Sequence, residues 1–347
     1  AQERLIVEEL ATNLIGVKIA SEKINKLKAK QMAISNEEVA LFKENLPFKL
    51  TNAQERTIKE ISDDISLTKP MRRLVQGDVG SGKTVVAAVS MYISAKNNTQ
   101  SVLLCPTEVL AEQHFKNFSA WFKNSNIKIE LLTGKMPVSK RRGIYQDLED
   151  GVIDILIGTH AVFQDKVKMK NLGLVVVDEQ QRFGVKQRFD LVKKSSDQIM
   201  PHQLFMTATP IPRTLAMTIF ADLETSKIDE LPPGRKPVET LVYSDKKKDE
   251  IVKRLETVCK SGNQVFWLCT MIEESENLDV QAADEAKEWI KENTNGLNIG
   301  LVHSKLSKDQ RDRAIENFRS GKTDVLVCTT VIEVGMDVPN ASLMVIE

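Results

Sequence analysis

Apolar residues in the first part of the chain recur at the spacing of a helix. Between residue 1 and about residue 31, charged residues separate apolar positions that are four and three apart, at Ile6, Leu10, Leu14 and Val17. This period predicts one amphipathic helix with a single packing face. A shorter helix is predicted at about residues 36–44. Together they form a predicted long helical linker over residues 1–46.

From about residue 47 the pattern changes to short β-rich runs that alternate with helical segments. Continuous apolar strands, such as residues 174–177, are typical of a parallel sheet that is covered on both faces. The predicted strands are residues 73–76, 101–105, 127–131, 154–157, 172–177, 203–206, 238–243, 264–269, 298–302, 324–328 and 342–346.

A proline- and glycine-containing run at residues 231–237 interrupts this alternation. Because these residue types stop both neighbouring elements, the run is the best candidate for a linker. The sequence therefore predicts an α/β fold with two tandem parallel-sheet lobes preceded by helices. The predicted domains are residues 1–46, 47–231 and 232–347.

Length and charge restrict the class of protein. A chain of 347 residues is too long for one compact core and suggests two or three domains. Lysine plus arginine and aspartate plus glutamate both total 48, so a nucleic-acid partner would have to be held by local basic patches. No apolar run approaches the roughly 20 residues of a membrane span, and the N-terminus lacks a secretory apolar segment. No membrane partner is therefore expected.

The cysteine and histidine residues suggest no metal site. The cysteines form no C-x-x-C pair and sit mostly in apolar, strand-like sequence, at Cys105, Cys259, Cys269 and Cys328. They are predicted to be buried, reduced thiols of a cytoplasmic protein. The four histidines are far apart in sequence and show no metal-ligand spacing.

One segment carries a complete phosphate-binding motif, G-x-x-x-x-G-K-T, formed by Gly77, Asp78, Val79, Gly80, Ser81, Gly82, Lys83 and Thr84. An apolar run precedes it and helix-compatible sequence follows it, as the motif requires. The backbone N–H groups of such a loop point at anionic oxygens. Lys83 would reach the β- and γ-phosphates, and the Thr84 hydroxyl would ligate Mg²⁺. The alternative is a glycine-rich turn with a chance Lys-Thr.

An acidic pair, Asp178 and Glu179, directly follows the apolar run at residues 174–177. Parallel sheets bind their ligands at the carboxyl ends of their strands. Asp178 would hold Mg²⁺, directly or through water, and Glu179 would orient and deprotonate the attacking water. A strand followed by an acidic helix start is the alternative. Both sites would also suit a small-molecule kinase, but the second α/β lobe argues against this function.

Other segments place these two sites in a known context. Residues 178–181 (DEQQ) resemble motif II of superfamily 2 helicases, and residues 206–210 (MTATP) resemble motif III. Three further runs resemble the motifs that hold a nucleic-acid backbone, at residues 105–111, 133–135 and 158–160. Each run alone would be an ordinary turn or helix cap. The DNA contacts implied by the resemblance are Pro106, Thr107, Thr133, Gly134, Lys135, Thr159 and His160.

Residues 47–347 resemble the helicase core of the RecG family of bacterial branched-DNA helicases. The matching runs are DEQQRFGV (178–185), TATPIPRTLA (207–216), LPPGR (231–235), CTMIEESE (269–276) and TTVIEVGMDVP (329–339). The resemblance implies two RecA-like lobes behind a helical linker, with ATP and Mg²⁺ as cofactors. It also implies a monomeric translocase on branched double-stranded DNA, which reverses replication forks and migrates Holliday junctions in recombination and repair.

Two alternative functions stay open. The transcription-repair coupling translocase shares several of these runs, but it resembles DEEH in the acidic box and its second lobe lacks an IEESE segment. A nucleotide-dependent DNA-binding module without a productive ATPase is the other.

The resemblance also implies roles for single residues. Phe48 and Gln54 match the segment that contacts adenine, although Thr51 and Gln54 equally fit a helix capping box. Arg213 matches a DNA-phosphate contact, with a solvated surface arginine as the alternative. Gly335 and Asp337 match motif V, which closes on nucleotide and strand; Asp337 could otherwise be a turn former.

The chain departs from the family pattern at two points. Gln181 stands where RecG-type proteins usually carry histidine, and an amide cannot be protonated near neutral pH. This substitution affects the predicted coupling of hydrolysis to DNA movement, but not ATP binding. The chain also ends before motif VI, whose arginine finger is worth roughly 10³- to 10⁵-fold in rate. Neither terminus looks natural, so we expect a fragment that binds ATP and Mg²⁺ but hydrolyses ATP poorly.

Overall fold

The computed structural model describes Thr12, Ile15 and residues 27–134, 136–179, 199–209, 223–232, 238–244, 247–269, 276–303, 305–329, 338 and 340–347. The chain divides into two compact units, Ala1–Lys236 and Pro237–Glu347, and the division falls inside the predicted proline-rich linker. No helix among these residues is long and apolar enough to cross a membrane.

The first unit is built on a seven-stranded sheet whose described strand pairs are all parallel. The strand order is β3-β4-β2-β5-β6-β1-β7. Its strands are β1 (Arg72–Gly77), β2 (Gln100–Leu104), β3 (Ile129–Leu132), β4 (Ile155–Gly158), β5 (Leu172–Val177), β6 (His202–Thr207) and β7 (Glu224–Ile228).

Both faces of this sheet are buried because successive strand residues point to opposite sides and both sets are apolar. On one face, Leu103 and Val176 join the core formed with the helices α1 to α4. On the other face, Val102 and Val175 pack with helix α5 and the 3₁₀ helix. The helices are α1 (Asn36–Glu44), α2 (Asn52–Ile65), α3 (Lys83–Lys96), α4 (Glu108–Trp121), α5 (Val138–Asp150) and the 3₁₀ helix His160–Phe163.

A buried arginine ties the start of β1 to its surroundings. Arg73 forms ion pairs with Glu60 at 3.2 Å and Asp64 at 2.9 Å, both on α2. Its guanidinium also donates to the Ser226 hydroxyl of β7 at 2.8 Å. Because breaking a buried charge pair leaves an uncompensated charge, this network fixes α2 and β7 against the strand that leads into the phosphate loop.

The second unit has a four-stranded parallel sheet in the order β11-β8-β10-β9. Trp267 and Val327 face one side, and Phe266 and Leu326 face the other. Its elements are α6 (Lys248–Lys260), β8 (Gln264–Leu268), α7 (Glu276–Asn293), β9 (Ile299–Val302), α8 (Lys308–Arg319), β10 (Val325–Cys328) and β11 (Ala341–Ile346). The two predicted parallel-sheet lobes are therefore confirmed.

Two predictions about the elements are wrong. The first predicted helix does not reach residue 31, because Lys28 forms an isolated β-bridge with Ile199 and the Ala29 N–H donates to the Thr68 carbonyl at 2.7 Å. Thr12 and Ile15 are helical, and the rest of residues 1–26 lies outside the described residues. The strand predicted at residues 238–243 pairs with none of the described strands, and Val238 and Val242 are 86% and 97% exposed.

All four cysteines are buried and free, as predicted. Burial raises the pKa of Cys259 and Cys269 to about 11 and that of Cys328 to about 12. At Cys105, burial and the nearby Asp178 charge raise the thiol pKa well above its usual value. These thiols are therefore protonated at neutral pH and inert.

Candidate functional site

The phosphate-binding motif forms the predicted loop between β1 and α3. Asp78, Val79 and Gly80 are exposed at its tip, and the Ser81 N–H donates to the Asp78 carbonyl at 3.0 Å. Gly82 is the N-cap of α3, has φ of +87° and supplies no side-chain cap. The first N–H groups of α3 are thus not capped by the N-cap side chain, as an anion site at a helix N-terminus requires.

Lys83 is the first residue of α3 and is 92% buried, with 8% of its surface exposed. Its ammonium donates to the carbonyls of Gly77 at 2.6 Å and Asp78 at 3.0 Å. The ammonium charge is therefore held over the loop and not in solvent. In this position it can bind phosphate oxygens. Thr84 follows it in the first turn of the helix, as the motif predicts.

Gln54 uses both ends of its amide, which corrects the expectation that it serves either a helix cap or the nucleotide site. Its Oε1 accepts from the Thr51 N–H at 2.9 Å, and Thr51 accepts from the Gln54 N–H, so the capping box of α2 is present. Its Nε2 donates to the Ser81 carbonyl of the phosphate loop at 2.8 Å. A Cβ at Gly82 would lie 2.2 Å from this Nε2 and would displace it, and the φ of +87° strains any other residue at this position.

The acidic pair lies at the carboxyl end of β5, where it was predicted. Asp178 and Glu179 are 8% and 7% exposed. The Asp178 carboxylate accepts from the Glu179 N–H through Oδ1 at 3.0 Å and contacts His114 Nε2 through Oδ2 at 2.8 Å. The Asp178 N–H donates to the Leu104 carbonyl at 2.9 Å, which fixes the acidic pair to the end of β2.

Glu179 adopts a left-handed backbone conformation with φ of +49°. This conformation costs a non-glycine residue about 1–2 kcal/mol. Strain of this kind persists where the surrounding structure imposes it, and it clusters at functional sites. Here it turns the chain sharply after β5, directly beside the Asp178 carboxylate.

The loop and the acidic pair lie at the same edge of the sheet. In the strand order, β6 separates β1 from β5, so the two strands are about 10 Å apart across β6. At the end of β6 the Thr207 and Thr209 hydroxyls are 2.9 Å apart, and the Thr209 N–H donates to the Thr207 hydroxyl. Residues 207–209 therefore form a compact polar turn between the two sites.

The predicted DNA contacts follow the neighbouring strands β2, β4 and β3. Thr107 is the N-cap of α4 and accepts from the Leu110 N–H at 3.3 Å. Gly134 and His160 are exposed, whereas Thr133 and Thr159 are buried, and the backbone N–H groups of these two threonines donate to Met136 Sδ at 3.5 Å and to the Leu132 carbonyl at 3.4 Å. Pro106 is half-buried beside Thr107.

Phe48 is 43% exposed and packs edge-on against Trp121, with ring centroids 5.8 Å apart. One part of the ring is thus anchored while the rest faces solvent. Five predicted site residues lie outside the described residues: Lys135, Gln181, Arg213, Gly335 and Asp337.

His114 was missed by the sequence prediction, which considered it only as a possible metal ligand. Its partner Asp178 lies 64 residues further along the chain. The available signal was its position on the apolar face of α4, with Leu110, Ala111 and Phe118. A polar residue on such a face needs a buried partner.

The donor set fits Mg²⁺ bound together with a nucleotide. No group of three or more His, Cys, Asp or Glu residues among the described ones could hold a metal ion. Mg²⁺ at nucleotide sites needs only one or two protein oxygens, because phosphates and water supply the rest. The Thr84 hydroxyl and the Asp178 carboxylate are oxygen donors of this kind.

Family models match both units of the chain. Residues 51–218 match the DEAD/DEAH box helicase model, and residues 246–347 match the helicase conserved C-terminal domain. Together they cover the phosphate loop, the acidic pair and the second sheet.

Curated relatives match the whole chain. The ATP-dependent DNA helicases RecG of Haemophilus influenzae and of Escherichia coli (strain K12) are each 46% identical over 349 residues. Each match covers 100% of this chain and 50% of the relative, so the chain spans about half the length of these proteins.

A solved structure of RecG bound to a three-way DNA junction superposes on the chain with a TM-score of 0.82. The two are 38% identical, and the match covers 99% of this chain and 45% of that one. Two helicase models in tandem, relatives matched over the full chain and a common fold lead to one conclusion. The chain belongs to the RecG family of DNA helicases, and each of its two units matches a helicase model.

Proposed function

We propose that this chain is the ATP-driven motor of a helicase that translocates on branched double-stranded DNA, reversing replication forks and migrating Holliday junctions. One observation carries the proposal. The phosphate loop, the acidic pair and those predicted DNA contacts that the structure describes lie at the carboxyl edge of one parallel sheet. Ligands bind at this edge in open α/β sheets.

In the proposed reaction the nucleotide is ATP, bound with Mg²⁺. Lys83 binds the β- and γ-phosphates, and the N–H groups of the loop bind the remaining oxygens. Thr84 and Asp178 would hold Mg²⁺, which neutralises charge on the phosphates when bound. Glu179 orients the attacking water and takes its proton. We assign Gln181, which lies outside the described residues, to the coupling of hydrolysis to DNA movement.

Phe48 and Gln54 are the two residues considered as contacts for adenine. Both ends of the Gln54 amide are engaged, which supports a role in setting the phosphate loop rather than in reading the base. The exposed part of Phe48 remains the candidate for stacking on adenine. Gly335 and Asp337 stay proposed nucleotide contacts of the second unit.

DNA would be held through its phosphates at the ends of β2, β3 and β4. We propose contacts at Pro106, Thr107, Thr133, Gly134, Lys135, Thr159 and His160, with Arg213 as a further phosphate contact. Backbone contacts of this kind position a duplex without reading its bases. A branched substrate is supported by the related RecG structure, which holds a three-way junction. The protein would act as a monomer in the bacterial cytoplasm, where its substrate is.

The proposal is tested by nucleotide binding and phosphate release. A fluorescent ATP analogue should bind the parent chain with Mg²⁺, and Lys83→Ala should lower its affinity at least about tenfold through loss of a charge-assisted contact. Phosphate release should be slow, stimulated by a three-way junction, and abolished in Glu179→Gln, which should bind the analogue as the parent does. Equal release by the parent and Glu179→Gln would exclude catalysis at this site.

A further inference from the structure

The Asp178 carboxylate is held between two donors. Its Oδ1 accepts from the backbone N–H of Glu179, and its Oδ2 lies 2.8 Å from His114 Nε2. The side chains of His114 and Asp178 are only 7% and 11% exposed. Because little water reaches this hydrogen bond to compete for its donor and acceptor, the contact restricts how the carboxylate can rotate.

His114 reaches Asp178 from a different element. It lies two turns into α4, on the face that also buries Leu110 and Phe118. Its ring packs edge-on to Phe118, with centroids 6.4 Å apart. Its Nδ1 is buried and has no hydrogen-bond partner among the described residues. Since an ionised carboxylate can only accept, Nε2 carries the hydrogen and the ring acts as a fixed donor.

We propose that His114 is a positioning residue of the ATPase site, which orients the Asp178 carboxylate for Mg²⁺. Each carboxylate oxygen has two lone pairs. The bonds to His114 and Glu179 occupy one on each and restrain the plane of the group, which leaves one lone pair on each oxygen to accept from water or bind a metal ion. Hydrogen bonds of this kind to metal ligands typically change metal affinity or activity 10- to 100-fold. The inference rests on the proposed function, because it assigns Asp178 to Mg²⁺.

The experiment compares two amides in place of the imidazole. The side-chain nitrogen in His114→Gln can take the place of Nε2, whereas the side chain in His114→Asn is one methylene shorter and cannot reach Asp178. Binding of a fluorescent ATP analogue is titrated with Mg²⁺ and repeated in EDTA, and the Mg²⁺ midpoint of phosphate release is measured in parallel. His202→Gln is the matched control, because His202 is also a buried, hydrogen-bonded imidazole but starts β6 at the opposite edge of the sheet.

We expect His114→Asn to raise the Mg²⁺ midpoint about tenfold or more while analogue binding in EDTA stays within about twofold of the parent. His114→Gln should restore the midpoint to within about threefold, and His202→Gln should leave it unchanged. A purely structural role would lower stability in both His114 variants without moving the midpoint.

Two results are decisive against the inference. If the parent responds to Mg²⁺ and both His114 variants respond at the same concentration, His114 does not position Asp178, and the proposed function stands. If the parent binds no analogue in EDTA or in Mg²⁺, the proposed function fails and the inference fails with it.

Discussion

At the scale of single residues, Glu179 combines a strained backbone with a proposed catalytic carboxylate. Its φ of +49° is unfavourable for any side chain, yet the turn it makes places two carboxylates together at the end of β5. Glycine adopts this conformation without the steric cost. Substitutions at residue 179 can therefore separate the contribution of the carboxylate to catalysis from the free-energy cost of the backbone conformation.

Replacing Glu179 with glycine or alanine should give two inactive proteins of different stability. Both lose the carboxylate, so DNA-stimulated phosphate release should disappear in both. Only Glu179→Gly relieves the left-handed strain, so it should be more stable than Glu179→Ala by about 1 kcal/mol. Thermal unfolding of the two variants measures the difference, about 2–4 °C in Tm for a domain of this size. Identical Tm values would mean that the residue is not strained in solution.

His202 makes the stability of the first unit depend on pH. Its Nδ1 accepts from the Met71 N–H at 3.0 Å and its Nε2 donates to the Lys30 carbonyl at 2.7 Å, so only the neutral ring satisfies both. Burial lowers the pKa of His202 below its usual 6.5. As the pH falls through 6.5, the unfolded chain takes up a proton that the folded chain does not. The stabilisation is therefore full above pH 6.5 and decreases below it.

We expect the free energy of unfolding of the first unit to fall between pH 7.5 and pH 5.5, by about 1.4 kcal/mol for each unit of pKa difference. His202→Gln should remove most of this slope, whereas His160→Gln, which replaces an exposed imidazole, should keep it. Urea unfolding at several pH values measures both. An unchanged slope in His202→Gln would show that other groups cause the dependence.

The sequence predicted the position of single residues in the fold well where a motif fixed their spacing. Gly77 to Thr84 and the pair at 178–179 are of this kind, because neighbours in sequence act together. It could not predict contacts between distant segments, such as His114 with Asp178 or Gln54 with Ser81. For Gln54 it offered a helix cap or a nucleotide contact, and the structure shows the cap together with a bond to the phosphate loop.

At the scale of elements, the Gln54 side chain bonds both to the N-terminus of α2 and to the phosphate loop. Thr51→Ala removes only the cap of α2, so it should cost about 1 kcal/mol of stability and leave nucleotide affinity within about twofold. Gln54→Met also frees the Ser81 carbonyl, so nucleotide affinity should fall about tenfold. Isothermal titration with an ATP analogue and thermal unfolding separate the two effects. Equal affinity losses in both variants would indicate that the cap alone sets the loop.

Strands of mainly apolar residues were predictable, whereas the polar strand β7 was not. The strands β5 and β10 are apolar at every position or nearly so, and their predicted limits agree with the structure to within one residue. The edge strand β7 was missed because only Ser226 and Ile228 are buried in it. Residues 238–243 show why an apolar alternation alone is insufficient: a strand also needs a hydrogen-bonded neighbour.

At the scale of the whole molecule, the chain carries equal numbers of basic and acidic residues. The proposed binding to DNA would therefore come from local groups that displace counterions from a few phosphates. We expect affinity for a three-way junction to fall at least about tenfold between 50 and 200 mM salt. Two junctions of the same shape but different base sequence should bind within about twofold at each salt concentration. Salt-independent binding would contradict a phosphate-based interface.

The strand order β3-β4-β2-β5-β6-β1-β7 has a consequence for the newly made chain. Strand β1 lies between β6 and β7, which follow it by about 125 to 150 residues, so its pairing depends on contacts that are far apart in sequence. At about 5–20 residues per second, a ribosome takes on the order of 10 to 30 s to supply them. During that interval the phosphate loop has been synthesised, but the strand that leads into it has no neighbours. We therefore expect that the loop cannot yet bind a nucleotide.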